Sequence, residues 1–312
     1  MSATTSRPGI IVVCGPTGIG KTATAILLAE AYGGEIVSAD SMQIYRYMEI
    51  GTAKPTAEEQ GRVPHHMIDI ITPEVPFDAA RYEKMAREII RDLHGRGKLP
   101  IVAGGTGFYI KALTSGLFDT VPVDPSVRQR LREEAATSGA DALYQRLAAC
   151  DPVSAERLHP NDTYRIVRAL EVFETTGSPI SSHHRRHQFR EDPFRQLKIG
   201  LAMERDALYA RIDARVDAML QEGLLDEVRK LLDEGYAPSL KSMQSIGYRH
   251  MIEFIQGRLN WEEAVRTLKR DTRRYAKRQM AWFKAEADIH WLAPDRTEEM
   301  KQRIDSFLRR DP

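Results

Sequence analysis

Cysteine is nearly absent from this sequence of 312 residues, which holds only Cys14 and Cys150. That excludes a disulfide framework and any cysteine-rich zinc finger, and it suits a reducing cytoplasm. Long apolar runs are missing too. Nothing approaches the roughly 18–20 apolar residues of a membrane span, and the N-terminal MSATTSRPG lacks the apolar core of a signal peptide. Excess charge of one sign is also lacking. The 45 Lys and Arg nearly cancel the 44 Asp and Glu, leaving +1, so no global field points to nucleic acid or membrane. Charge has to be sought locally instead. There is no internal repeat and no long low-complexity segment. What is present is 42% hydrophobic and 29% charged residues, the balance of a soluble globular chain. The length suffices for one large domain or two modest ones.

The most informative stretch is VVCGPTGIGKT, residues 12–22. Gly15, Pro16, Thr17, Gly18, Ile19, Gly20, Lys21 and Thr22 have the form G-x-x-x-x-G-K-T. An apolar run precedes them and a helix-like run, 23–32, follows. This is the strand–loop–helix context in which backbone N–H groups converge on a phosphate at a helix N-terminus. Lys21 adds a positive charge, and Thr22 can place a hydroxyl on Mg²⁺.

Apolar runs at 10–13, 35–39, 66–70 and 99–104 alternate with helical patterns, among them 79–94. The alternation predicts a P-loop NTPase-like α/β fold, a parallel sheet flanked by helices. After Gly116 the text changes. LFDTVPVDP reads as a hinge, and a helix-rich stretch, 125–176, ends in a polar loop that includes SSHHRRHQFR, 181–190. The run 197–203 reads as a strand returning to the sheet, 291–292 as a last short strand, and the residues beyond 294 as a terminal helix. The expected organisation is a discontinuous core, 1–117 with 197–312, and an inserted mostly helical domain, 118–196. Nothing in the sequence demands more than a monomer.

A parallel sheet would bring the turns after its strands to one edge. The phosphate loop would then share a pocket with Asp40, Ser41, Met42 and Gln43, which follow the second strand, and with Thr106, which follows the run 99–104. Asp40 is a metal ligand or a base facing an acceptor molecule, with a helix N-cap as the plain structural alternative. Thr106 offers a hydroxyl at the pocket or caps the helix that follows. No arginine finger and no water-positioning glutamine can be assigned by spacing, so nucleotide hydrolysis has little support. Further on, residues 266–284 carry eight Lys and Arg against one Asp, with Tyr275, Trp282 and Phe283 interleaved. That composition suits phosphate contacts with base stacking, or simply a helix with a solvated basic face.

Taken together, GPTGIGKT, SADSMQIYRYMEIGTAKP, PHHMID, GGTGFYIKAL, HPNDTYRIVRALEVF, QSIGYRHM and YAKRQMAWF resemble the bacterial-type tRNA dimethylallyltransferases, also called tRNA isopentenyltransferases. The resemblance runs in order from residue 15 to 283. It implies a cytoplasmic enzyme that transfers a dimethylallyl group from dimethylallyl diphosphate to N6 of the adenine 3′ of the anticodon in tRNA. The phosphate loop would hold the isoprenoid diphosphate with Mg²⁺. Asp40 and Thr106 become the catalytic pair, with Gln43 at the adenine edge. Arg211 matches a diphosphate-binding arginine, with Arg215 one turn on as its competitor. The resemblance assigns tRNA contacts to Arg128, to Tyr164, Arg165, Ile166, Val167 and Arg168, and to Gln244, Ser245, Ile246, Gly247, Tyr248 and Arg249. The basic run adds Arg273, Arg274 and Lys277. Lys54 matches the family text without a physical role, and the histidines of 181–190 resemble a metal site only weakly. The competing readings are a small-molecule kinase with the insertion as a lid, a non-catalytic RNA-binding ATPase, and a prenyltransferase acting on free AMP or ADP.

Overall fold

The computed structural model describes residues 7–117, 125–187 and 191–309. Two compact units divide them, one joining the residues up to Thr114 with those from Pro193 onward, the other running Ser115–Asp192.

The first unit is built on six strands: β1 (Gly9–Cys14), β2 (Glu35–Ser38), β3 (His65–His66), β4 (Pro100–Gly104), β5 (Arg195–Leu201) and β6 (Ile289–Leu292). Their order is β3-β2-β4-β1-β5-β6, and every pairing is parallel. The central strand β1 is buried along its whole length. That is why it reads as an unbroken apolar run rather than an alternating one. The register aligns the carboxyl ends, with Cys14 opposite Gly104 and Ser38 opposite Ala103. The turns after β1, β2 and β4 therefore leave the sheet side by side, as the sequence predicts.

Two expectations are corrected. The apolar run 66–70 yields only the two residues of β3, because Met67 and Asp69 take positive φ and turn the chain out of the sheet. In the second unit, 181–187 is not a loop but most of a helix, Ile180–His187. Asp151 Oδ2 accepts the Ser181 N–H at 3.0 Å and so satisfies one of its first free donors. Residues 188–190 and most of the expected hinge, 118–124, lie outside the described residues.

The second unit packs the helices Pro125–Ser138, Ala140–Cys150, Pro152–Arg157 and Thr163–Thr176 with Ile180–His187. Leu131, Leu143, Leu147, Ile166 and Leu170 form its core. One charge sits inside it. Glu171 is fully buried and is held by a two-point bridge from Arg128, at 2.8 and 3.0 Å, and by Arg168 at 2.7 Å. Such pairing is what permits a carboxylate in that position. No helix among the described residues is long and apolar enough to cross a membrane.

Candidate active site

The phosphate loop closes β1 and opens the helix Lys21–Tyr32. Gly15, Gly18 and Gly20 take positive φ, which turns successive backbone N–H groups inward. Lys21 lies across the loop, its Nζ donating to the Pro16 carbonyl at 2.8 Å. Burial and the nearby Arg215 guanidinium push the Lys21 ammonium down to about 8, while the Asp40 carboxylate holds it up. Burial likewise lowers the Arg215 pKa, again against the pull of Asp40. Two partly desolvated cations facing a ring of backbone donors make a strong anion site.

The turn after β2 carries the acidic group. Asp40 Oδ1 accepts the Met42 N–H at 2.8 Å, which fixes the carboxylate, and Thr106 Oγ1 accepts the neighbouring Ser41 N–H at 3.0 Å. Thr106 does occupy a helix-capping position, since its carbonyl accepts from Tyr109 and Ile110. Its hydroxyl, however, serves the Asp40 turn and the Tyr275 hydroxyl rather than the helix. Gly104 lets the two turns touch. A Cβ there would lie 2.1 Å from the Ala39 carbonyl oxygen.

Two cavities meet at this point, sharing Thr17, Asp40, Thr52, Arg215, Met219 and Tyr275 in their walls. One, of about 620 Å³, contains Lys21, Thr22 and Gln43. The other, of about 350 Å³, is walled by Ile212, Val216 and Leu268 and by the segment Gln244, Ser245, Ile246 and Gly247, with Arg278 at its side. The buried Ser245 hydroxyl has no partner among the described residues. An unmet buried hydroxyl costs ~1–3 kcal/mol, so it is available to a group entering this cavity. Burial, with Asp40 opposite, raises the Tyr275 pKa and keeps its phenol protonated.

Several expected contacts are placed differently. Tyr248 is fully buried and donates to Glu227 at 2.6 Å, so its ring is core rather than an RNA-facing surface. Ile166 and Val167 are buried in the core of the second unit, whereas Tyr164 is 75% exposed. Of the same stretch, Arg165 pairs with Asp162 at 2.9 Å, and Arg168 with Glu171. Gln43 is partly spent within the protein, accepting from Ser38 at 3.1 Å and donating to the Ala53 carbonyl at 3.2 Å. One N–H and one lone pair of its amide remain. Arg273 is bound to Asp213 at 2.5 Å, and Arg249 to Asp271 at 2.6 Å. Arg274 and Lys277 stay exposed. Arg211 and Arg215 both reach the loop from the helix Arg205–Gln221. Arg211 is exposed and brings its guanidinium to 3.5 Å from where a Cβ on Gly20 would sit, while Arg215 lines both cavities.

Three residues escape sequence reasoning. Gln279, on the helix Trp261–Lys284, accepts the Thr17 N–H and donates to the Gly105 carbonyl, each at 2.8 Å. It bolts the phosphate loop to the turn after β4. Glu227 accepts from the N–H groups of Glu49, Ile50 and Gly51 at 2.8, 2.8 and 3.1 Å. Lys54, whose role the sequence leaves open, is buried and donates to the Tyr45 carbonyl, to Glu49 and to Asp69. Together these two anchor the strap between Asp40 and Pro55 that walls both cavities. Local spacing carries no signal for such long-range contacts. Gln279→Leu keeps the volume and strips both bonds, leaving partly buried groups unpaired at ~1–3 kcal/mol each. The melting temperature should fall, at roughly 2–4 °C per kcal/mol, and turnover should fall with it. Native melting and native turnover together would dismiss the bolt.

Known proteins are similar to this chain in sequence and fold. A family model described as IPP transferase matches residues 43–286. The tRNA dimethylallyltransferase of Desulfosudis oleivorans is 59% identical over 287 residues, covering 92% of this chain and 91% of that protein. The enzyme of the same name from Desulfatibacillum aliphaticivorans is 54% identical over 303 residues, covering 97% and 99%. Among solved structures, the full-length tRNA isopentenylpyrophosphate transferase of Bacillus halodurans superposes with a TM-score of 0.73 at 40% identity over 97% of each chain. A eukaryotic dimethylallyltransferase acting on tRNA superposes with a TM-score of 0.83 at 29% identity, over 98% of this chain and 80% of that one. The chain belongs to the IPP transferase family, that of the tRNA dimethylallyltransferases.

Proposed function

We propose that the protein transfers a dimethylallyl group from dimethylallyl diphosphate to N6 of an unpaired adenine in tRNA, the one 3′ of the anticodon. The observation that carries this reading is the meeting of two cavities at Asp40, one lined by the phosphate loop with Lys21 and Arg215, the other walled largely by apolar residues with Arg215 and Arg278 at its side. The diphosphate occupies the first, against the loop N–H groups, Lys21, Arg215 and Arg211. These groups stabilise the charge that develops as the allylic C–O bond breaks, the kind of preorganised contribution worth ~3–4 kcal/mol per donor. The adenine enters the second cavity. Its N6 forms the new C–N bond and gives its proton to Asp40, and diphosphate leaves. The Ser245 hydroxyl and the remaining Gln43 donor and acceptor suit the base edge. Extrusion is cheapest for a base already single-stranded in a loop.

The donor set also fits Mg²⁺. No cluster of three acidic, histidine or cysteine side chains stands ready among the described residues, and Mg²⁺ prefers one or two protein oxygens plus substrate phosphates. Thr22 would supply a hydroxyl, and the ion would neutralise charge on the leaving diphosphate. We take the working form to be a cytoplasmic monomer.

A single-turnover assay tests the whole reading. The protein, Mg²⁺, dimethylallyl diphosphate and unmodified tRNA are mixed, and nuclease digestion locates any mass gain. Parallel tubes hold AMP in place of tRNA, and ATP in place of the isoprenoid. Gain on one adenine of tRNA alone is expected. Gain on AMP moves the acceptor to a free nucleotide. ATP consumption without prenyl transfer returns the chain to a kinase or ATPase.

A further inference from the structure

Two aromatic rings stay partly in water beside the turn that carries Thr106. Phe108 is 46% exposed and Trp282 37% exposed. They meet edge to face, with centroids 6.4 Å apart and planes at 86°. Their neighbour Tyr109 behaves as aromatic rings ordinarily do, buried and stacked on Tyr82 at 4.4 Å. Trp282 is rigidly seated. It lies on the backbone of Gly107, where a Cβ would come within 2.2 Å of the indole Cδ1. The pair is therefore fixed to the same turn that holds the Asp40 segment through Thr106.

The surroundings say what fits there. On the helix Trp261–Lys284, Arg274, Arg278 and Trp282 fall four residues apart and share one face. Arg278 lines the apolar cavity, and the Arg274 side chain is 64% exposed. Of the acidic groups close by, Glu286 is paired with Lys111 at 3.4 Å, and Asp271, 3.8 Å from Arg274, is held more closely by Arg249 and Arg270 at 2.6 and 2.8 Å. A stripe of cations thus runs from the acceptor cavity toward the rings. That is the composition of a single-strand nucleic-acid track, phosphates on arginine and bases on aromatic faces. Extruding an adenine also strips its neighbour in the loop of a stacking partner, and a ring two residues from Thr106, whose hydroxyl holds Ser41 in the wall of the acceptor cavity, is placed to replace it.

We infer that Phe108, backed edge-on by Trp282, is a stacking platform for the unpaired nucleobase next to the target adenine. The inference rests on the tRNA reading above. It is tested with the full chain and full-length tRNAs carrying a single abasic nucleotide on one or the other side of that adenine. Phe108→Ala should raise KM for intact tRNA by about 5–100-fold, the range of one lost stack. KM for dimethylallyl diphosphate and the melting temperature stay native, and Phe108→Tyr restores tRNA affinity. On the tRNA lacking the stacked base, native protein and Phe108→Ala should perform alike. An unchanged KM for tRNA in Phe108→Ala, or an equal loss on intact tRNA and both abasic tRNAs, overturns the platform. If the native chain prenylates no tRNA, the functional reading falls and the platform falls with it. If the native chain is active and only the Phe108→Ala effect is missing, the platform alone falls.

Discussion

Asp40→Asn leaves donor and tRNA binding close to native and slows prenyl transfer by about 10²–10⁴-fold, the range for a lost general base. The substitution is unusually clean. Asparagine keeps the Oδ1 that accepts the Met42 N–H at 2.8 Å, and the Ser41 N–H is held by Thr106, not by Asp40. The turn should keep its shape while the carboxylate disappears. One side effect must be controlled. The Asp40 charge holds up the Lys21 pKa, so its loss moves Lys21 deprotonation to lower pH. Rates should be compared well below pH 8, where Lys21 is protonated in both proteins. A single-turnover rate within a few-fold of native under those conditions removes Asp40 as the base. Weakened diphosphate binding there would instead assign Asp40 to the metal.

Much of this is legible in the sequence. The apolar runs of β1, β2, β4 and β5 are long enough, and buried enough, to announce a parallel sheet. The order of the chain then places Gly15–Thr22, Asp40 and Thr106 on one edge. What failed had physical reasons. Residues 66–70 alternate like a strand but follow a turn pinned by Lys54 through Asp69, a contact that no local pattern encodes. Ile180–His187 is polar enough to look like a loop, yet Asp151, some thirty residues earlier, caps it. Tyr248 sits in a segment to which the family resemblance assigns tRNA contacts. Its ring instead belongs to the anchoring of the strap by Glu227. Gln279 was invisible because its partners, Thr17 and Gly105, lie far away in sequence. A motif gives the identity of the reacting groups. The residues that hold those groups in register are set by tertiary packing.

Lys21 shows what the site costs the fold. Its pKa in the folded protein is about 8 against an ordinary 10.5, chiefly because it is desolvated. Below pH 8 the folded protein therefore carries an ammonium it would rather not carry. Between pH 8 and 10.5 the unfolded chain binds the extra proton, so stability rises with pH across that window. Lys21→Met removes the charge, and near pH 7 it should stabilise the free protein by roughly 1–3 kcal/mol, read as a higher melting temperature that fades toward pH 10. The same variant should lose about 10²–10³-fold in transfer rate, the effect of one missing donor on the leaving group. For the native enzyme, kcat/KM for dimethylallyl diphosphate reports the free protein. It should fall as pH rises through about 8, as Lys21 loses its proton. At saturating donor the bound diphosphate favours the protonated form, so the fall in kcat moves to higher pH. Lys21→Met should lack this alkaline limb. A kcat/KM profile that stays flat well above pH 8, or an alkaline limb that survives in Lys21→Met, would show that the lysine does not meet the donor as a titrating cation. A variant both less active and less stable at pH 7 would show that Lys21 is held by the fold rather than imposed on it.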